Sequence, residues 1–398
     1  SNSLVRGYDF NQVNVRAGGF LQDFLTARNN CRILQASLNQ PLANCANATG
    51  TQGLPGQSTN MPVFASLPGG GLLTNTAVTG PIAQGDVADL AILYITNGLD
   101  GNVPFLPNTN GGPVDLLTNG GKYRYNALQA EIRRRFTGGF SFQANYTFQK
   151  ILTDVQSDGQ ARFDPYLDLN NLAIENGRAD YDRTHTVNIN ANYELPFGKG
   201  KPFLNAGGLM NSIFGGFQLT SIINMSSGAP LSIKDINGTL NRIGRSNRQT
   251  AFSNLTSDQI GALIGIRKVN GIIYFIDPSV IGPNGSATNS NLEATAASNF
   301  TGQVFFRNQP GQTGNLPRNF FNGPRYINWD AGIIKNIAFS EKLRLQLRAE
   351  AFNVLNHTNF FITENSGIFD VESTTFGQVA PTSTFSPRIM QFAVRFEF

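Results

Sequence analysis

The side chains able to carry chemistry are few and widely spaced. His185 and His357 are the only histidines, and neither falls in a spacing such as H-x-x-x-H that would hold zinc. Cys31 and Cys45 are the only cysteines. In an oxidising compartment so close a pair can close a small disulfide loop, and in a reducing one it remains two thiols. Asp154, Asp158, Asp164, Asp168, Asp180 and Asp182, with Arg178 and Arg183 among them, make the densest acidic stretch. Their spacing fits no EF-hand, so they read as solvated loop charge. No G-x-S-x-G, C-x-x-C or P-loop pattern occurs, and neither an enzyme nor a cofactor or metal site is expected. A formal charge of +4 over 398 residues, without a Lys/Arg-rich run, gives nucleic acid no purchase.

One pattern remains. Arg344, Gln346, Arg348 and Glu350 recur at every second position, which puts them on one face of a β-strand. By the same parity Asn328 and Asp330 share that face on a preceding strand, as do Gln391, Arg395 and Glu397 on a following one. Such a row either pairs across strands as a salt-bridged wall or contacts something held against it.

The elements that carry the row alternate throughout. Phe140, Phe142, Ala144, Tyr146 and Phe148 oppose Ser141, Gln143, Asn145, Thr147 and Gln149, and the chain closes on Met390, Phe392, Val394, Phe396 and Phe398 against a mostly polar parity. Strands are expected near 126–136, 140–150, 184–194, 217–227, 326–336, 342–353 and 388–398. A half-buried strand of a soluble β-protein shows the same alternation. No apolar run reaches 18 residues, so no transmembrane helix is expected. Barrel strands, by contrast, need only about 9–11 alternating residues to cross.

Connection lengths separate the two environments. Links after the first, third and fifth strands are short, and those after the second, fourth and sixth are long. The two kinds therefore fall at opposite ends of one antiparallel meander, as short periplasmic turns and long extracellular loops do. Arg134 lies on the apolar parity, but just before the Thr137-Gly138-Gly139 turn, where an interface would tolerate it. Residues 1–124 are expected to form a long extracellular loop region with short helices, near Gly19–Leu38 and Val87–Leu99. Residues 125–398 would carry the strands. The expected fold is all-β: about seven antiparallel meander strands forming the C-terminal portion of a large transmembrane β-barrel in the bacterial outer membrane, in contact with lipid.

Several stretches then resemble one family. They are Tyr125-Asn126-Ala127-Leu128-Gln129, the Asn145 to Lys150 strand end, Asp180-Tyr181-Asp182-Arg183-Thr184-His185, Tyr193 to Gly200, Arg348 to His357 and the closing Pro387 to Phe398. In this order they are similar to Oar-like TonB-dependent outer-membrane receptors, over most of 125–398 and more loosely over 1–124. The resemblance implies a 22-stranded barrel with a plug that contacts TonB, and import of a large or scarce solute. It further implies that Phe398 is an aromatic terminus read by the outer-membrane assembly machinery. Seven strands leave unpaired edges that hydrocarbon does not tolerate. The missing N-terminal strands and plug of the same receptor are therefore expected partners, with the chain read as a fragment. On this reading Asn328, Asp330, Arg344, Gln346, Arg348, Glu350 and Arg395 face the lumen, as a salt-bridged wall or a plug-docking surface. A passive porin-like or adhesive barrel is the alternative, followed by a secreted soluble glycan-binding β-protein.

Overall fold

A computed structural model describes residues 2–38, 53–112, 114–155, 165–205, 207–245, 249–288, 300–340, 343–363 and 366–398. Its spine is one antiparallel sheet whose strands lie in chain order: β1 (Asn2–Asp9), β2 (Asp115–Thr137), β3 (Phe140–Thr153), β4 (His185–Glu194), β5 (Phe217–Ser226), β6 (Tyr326–Ala338), β7 (Arg344–Phe352) and β8 (Ile389–Glu397). The β2–β3 turn is tight because Gly138 and Gly139 both take positive φ (63° and 82°), the backbone a two-residue hairpin requires.

The register converts each strand's alternation into two continuous faces. Ile132, Ala144, Ile189, Ile223 and Trp329 stand opposite one another across five strands. Farther along, Ile333, Ala349 and Phe392 do the same. This apolar face is uncovered: Ile132 is 66% exposed and Phe392 72%. A sheet in water does not leave such a face open, because burial of each large side chain is worth about 1.5–3 kcal/mol. Arg134, on the same face, donates to the Thr137 carbonyl (3.3 Å) and lies over the Phe140 ring, so its charge is drawn to the turn.

The first 124 residues differ from expectation. Asn2–Asp9 is a strand of the wall, paired with Asp115–Tyr123, and β2 begins at Asp115 instead of near 126. At 23 residues β2 is roughly twice what a crossing needs, so its first half stands clear of the other wall strands and carries β1. The sheet thus has an eighth strand on its path, and the long connection is 10–114 instead of 1–124.

The four long connections (10–114, 154–184, 227–325 and 353–388) gather at one end of the sheet as a cap with two apolar cores. The first is helical, from α1 (Phe20–Leu38), α2 (Pro62–Ser66), α3 (Thr76–Gln84) and α4 (Val87–Thr96). Phe20 sits at its centre, edge-on to Phe105 (4.7 Å between centroids), Phe64 (5.5 Å) and Tyr94 (6.1 Å). The buried carboxylate of Asp23 accepts from the Val63 and Phe64 amides (2.6 and 3.1 Å), capping α2 from another helix. The second core, around Phe275, Phe321 and Phe369, is roofed by the hairpin Ile264–Val269/Ile272–Ile276. At the sheet's other end, β2–β3 are joined by a tight turn, β6–β7 by a link short enough for the Phe339 amide to donate to the Leu343 carbonyl (3.0 Å), and β4–β5 by residues 195–216, which include the short helix α5 (Gly208–Phe214).

Candidate functional site: the polar face of the wall and the cap above it

The face opposite the apolar one is organised by level. Glu131, Asn145, Asn188, Asn224 and Asn328 stand in one cross-strand row from β2 to β6. The row beside it is Gln129, Thr147, Thr186, Ser226 and Tyr326. With strands about 4.8 Å apart, each row is roughly 20 Å of donors and acceptors, neutral except for Glu131 at the β2 end of the first. From β3 to β6 such a surface hydrogen-bonds a polar solute or segment without selecting a charge.

The charged residues do not form the single row that parity alone suggests. Arg344 is opposite Ala338 and Glu397, at the short-turn end. Ala331 is opposite Ala351, so Asp330 and Asn328 lie at the far, cap end of the same strand pair. The residues separate into two groups. Near the short turn, Arg348 Nε donates to Gln346 Oε1 (2.6 Å), Gln346 Nε2 donates to Asn336 Oδ1 (2.8 Å), and Arg395 pairs with Glu397 (3.0 Å). Near the cap, Asp330 Oδ1 accepts from Asn328 Nδ2 (2.9 Å) and from the Asn353 amide (2.8 Å), fixing the chain where it leaves β7. Glu350 lies between them, opposite Gly332 and Gln391.

Both histidines have structural partners. His185 Nδ1 is 2.9 Å from the Tyr146 hydroxyl, at the cap end of the apolar face. His357 Nδ1 is 3.1 Å from Asn359 Oδ1, which also accepts from the Ile327 amide. The acidic stretch is used as struts: Asp154 accepts from the Lys122 amide, Asp182 pairs with Arg178 (3.0 Å) and Asp168 with Arg16 (3.7 Å). Asp158 and Asp164 lie outside the described residues, and no metal-holding group occurs among the described ones. Cys31 is buried on α1, while Cys45, its proposed disulfide partner, is outside the described residues. Phe398 follows β8 directly and is almost fully exposed.

The cap is bound together and to the wall by buried charge. Arg6 on β1 donates to the Asp154 carbonyl (2.6 Å), faces Glu175 (3.6 Å) and lies 3.4 Å from the Tyr166 ring centroid, joining the first strand to the 154–184 connection. Between the two cores, Arg307 pairs with Asp86 and Glu372, each at 3.2 Å. Asp86 also accepts from the Gly238 amide (3.2 Å). Burial pushes the Asp86 carboxyl up to about 6 against the pull of Arg307, and burial likewise raises Asp370 to about 6.

Two cavities of small-molecule size open where cap meets wall. One of about 700 Å³ is lined by Ser227, Phe275, Arg325, His357 and Phe360. The other, about 440 Å³, is lined by Lys150, Asn176, Arg178, Asn315 and Arg318. The asparagine row and this cap network escape a reading by parity, because both depend on register and on contacts between distant loops. The hint in the sequence is asparagine recurring on the polar parity: Asn145 in β3, Asn188, Asn190 and Asn192 in β4, and Asn224 in β5.

A family model described as an outer membrane beta barrel domain matches residues 74–391. A chain in the solved structure titled "Structure of the FpvAI-pyocin S2 complex" is similar over 77% of this chain and 22% of that one, at 9% identity and a TM-score of 0.27. This chain therefore spans about a fifth of that chain's length. No curated protein matches.

Proposed function

Because the chain belongs to the outer membrane beta barrel domain family, with its wall in the bacterial outer membrane, we propose that it is the C-terminal barrel part of a TonB-dependent receptor of the Oar-like branch, importing a large or scarce solute. The observation that carries this reading is the cap. Four long connections fold into one two-core body tied to the wall, where a passive pore would keep its mouth open. A capped barrel suits capture of a solute at the surface followed by energised passage, with the cavities at the cap–wall seam as places to hold it. The free edges of β8 and of the lower half of β2 would be continued by the receptor's remaining strands, because unpaired backbone in hydrocarbon costs several kcal/mol per group. The polar face would receive the plug, with Arg344 and Arg348 near its periplasmic rim. No enzymatic step is proposed.

The test profiles solutes removed from the medium by cells with the intact gene, without it, or without TonB. Deficits shared by both deletions support the reading. A deficit on gene deletion alone makes the barrel a passive pore. Unchanged uptake with loss of surface attachment makes it an adhesin. In the complete receptor, reversing the charge of Arg344 and Arg348 together should loosen plug retention, and unchanged retention and uptake would remove the docking role.

A further inference from the structure

Helix α5 stands apart from the rest of the short-turn end. Leu209, Met210, Ile213 and Phe214 recur at i, i+1, i+4 and i+5, so they form one stripe, and all four are exposed, Leu209 at 76%. The other side of the helix is fixed. The Asn211 side chain accepts from the Lys199 amide (2.7 Å), tying α5 to the turn in which Phe197 packs on Phe203.

The position of the helix follows from Lys335. Lys335 shares the parity of Trp329, Ala331 and Ile333, the apolar face, and stands opposite Phe217 at the short-turn end of β6. Its ammonium lies 4.4 Å from the Phe217 ring centroid and donates to the carbonyls of Ile213 (3.2 Å) and Gly215, at the C-terminal end of α5. A cation on the lipid side of the wall therefore holds the helix by its carbonyl end. The immediate exit is just as tightly held: Asn336 N donates to the Gly216 carbonyl (2.9 Å). The apolar stripe is thus continuous with the lipid-facing surface and lies at the level where the strands end in the periplasm.

We propose that α5 is an interfacial anchor, its Leu209, Met210, Ile213 and Phe214 stripe inserted among the phospholipid acyl chains of the periplasmic leaflet. The outward side of the wall offers no other solvent there, and a helix lying flat with one apolar face is the form such anchoring takes. Lys335 would otherwise be an isolated charge on the hydrocarbon side; folding α5 over it gives its ammonium carbonyl partners. The inference rests on the lipid-facing side of the wall and not on the transport reading.

The test places a tryptophan at Leu209 (Leu209→Trp) in the complete receptor with Trp329 and every other tryptophan replaced by phenylalanine. The protein is reconstituted in phospholipid vesicles carrying bromine either near the headgroup or near the chain end. Heat-modifiable migration on gels confirms that the barrel has folded. The expected result is blue-shifted emission, quenched strongly by shallow bromine and weakly by deep bromine. Red-shifted, unquenched emission at position 209 overturns the proposal, because the stripe then faces water. Blue-shifted emission without quenching also overturns it, because a protein surface then covers the stripe. Where Leu209→Trp does not fold, Met210→Trp is read the same way.

Discussion

Replacing Arg307 with methionine should open the cap while sparing the wall. Arg307 and Asp86 are both nearly inaccessible, at 2% and 4% of side-chain exposure, and Arg307 also reaches Glu372. Methionine preserves most of the volume but leaves the Asp86 carboxylate buried, with the Gly238 amide its one remaining donor among the described residues. Breaking one partner of a buried pair costs about 3–5 kcal/mol, against roughly 0–1 for an exposed pair.

The loss should depend on pH, and its sign is fixed. The folded-state pKa of Asp86 is raised from 3.8 to about 6, so between these values the folded form binds more protons than the unfolded one. Stability then falls as pH rises through that window, by about 3 kcal/mol for a shift of roughly two units. Without Arg307, whose charge lowers the Asp86 pKa, the window extends upward and the penalty at neutral pH grows. Hydrogen exchange in peptides from 76–96 and 235–245 should show opening of Arg307→Met at pH 7.5 that is largely suppressed at pH 5. Asp86→Asn with Arg307→Met should recover much of the protection. Opening equal at both pH values, or a double variant no better than the single, would refute the argument.

Three further outcomes follow from the same structure. Phe392→Arg, near the middle of the apolar face, should destabilise the folded barrel in vesicles by about 2–4 kcal/mol, and Phe396→Arg, near the rim, by about 0–1, as read by urea titration; equal losses would mean the face does not span a bilayer. Gly216→Ala should destabilise by about 1–3 kcal/mol and raise exchange at the start of β5, because φ is +70° and the added Cβ would collide with the Asn336 carbonyl; a neutral substitution would show that the α5 exit is not held against β6. Peptides carrying Cys31 and Cys45 should migrate as one species in non-reducing mass spectrometry and separate on reduction; separate masses without reductant would discard the link.

Much of the wall is legible in the sequence because a two-residue period survives any environment that presents two unlike faces. Phe140 to Gln149 announces both its strand and its sides. β1 does not, since Asn2-Ser3-Leu4-Val5-Arg6-Gly7-Tyr8-Asp9 has no clean alternation and is recruited by backbone pairing to β2. The first half of β2 is hidden by Gly120 and Gly121, beside which the pairing register shifts. The cap core is drawn from Phe20, Phe64, Tyr94 and Phe105, separated by Gly-, Pro- and Asn-rich chain, so no local window contains it. At the candidate site, parity gives the face but not the height. The level of Arg344 relative to Asp330 depends on how the β6–β7 turn sets the pairing, and that separates residues that parity places side by side.

The way the last hairpin is fastened gives the molecule a mechanical polarity. β7 and β8 are joined at the cap end of the sheet by residues 353–388. There Val371 exchanges backbone hydrogen bonds with Lys234 and Ala287, Gln378 and Val379 pair with Tyr274 and Ile273, and Glu372 holds Arg307. A force drawing Phe398 away from the cap therefore meets more than the zipper of β8 against β7. The connection cannot follow its strands through the bilayer until it is torn from the second core. The cap acts as the head of a rivet whose shank is the final hairpin, and pulling from below must first deform the head.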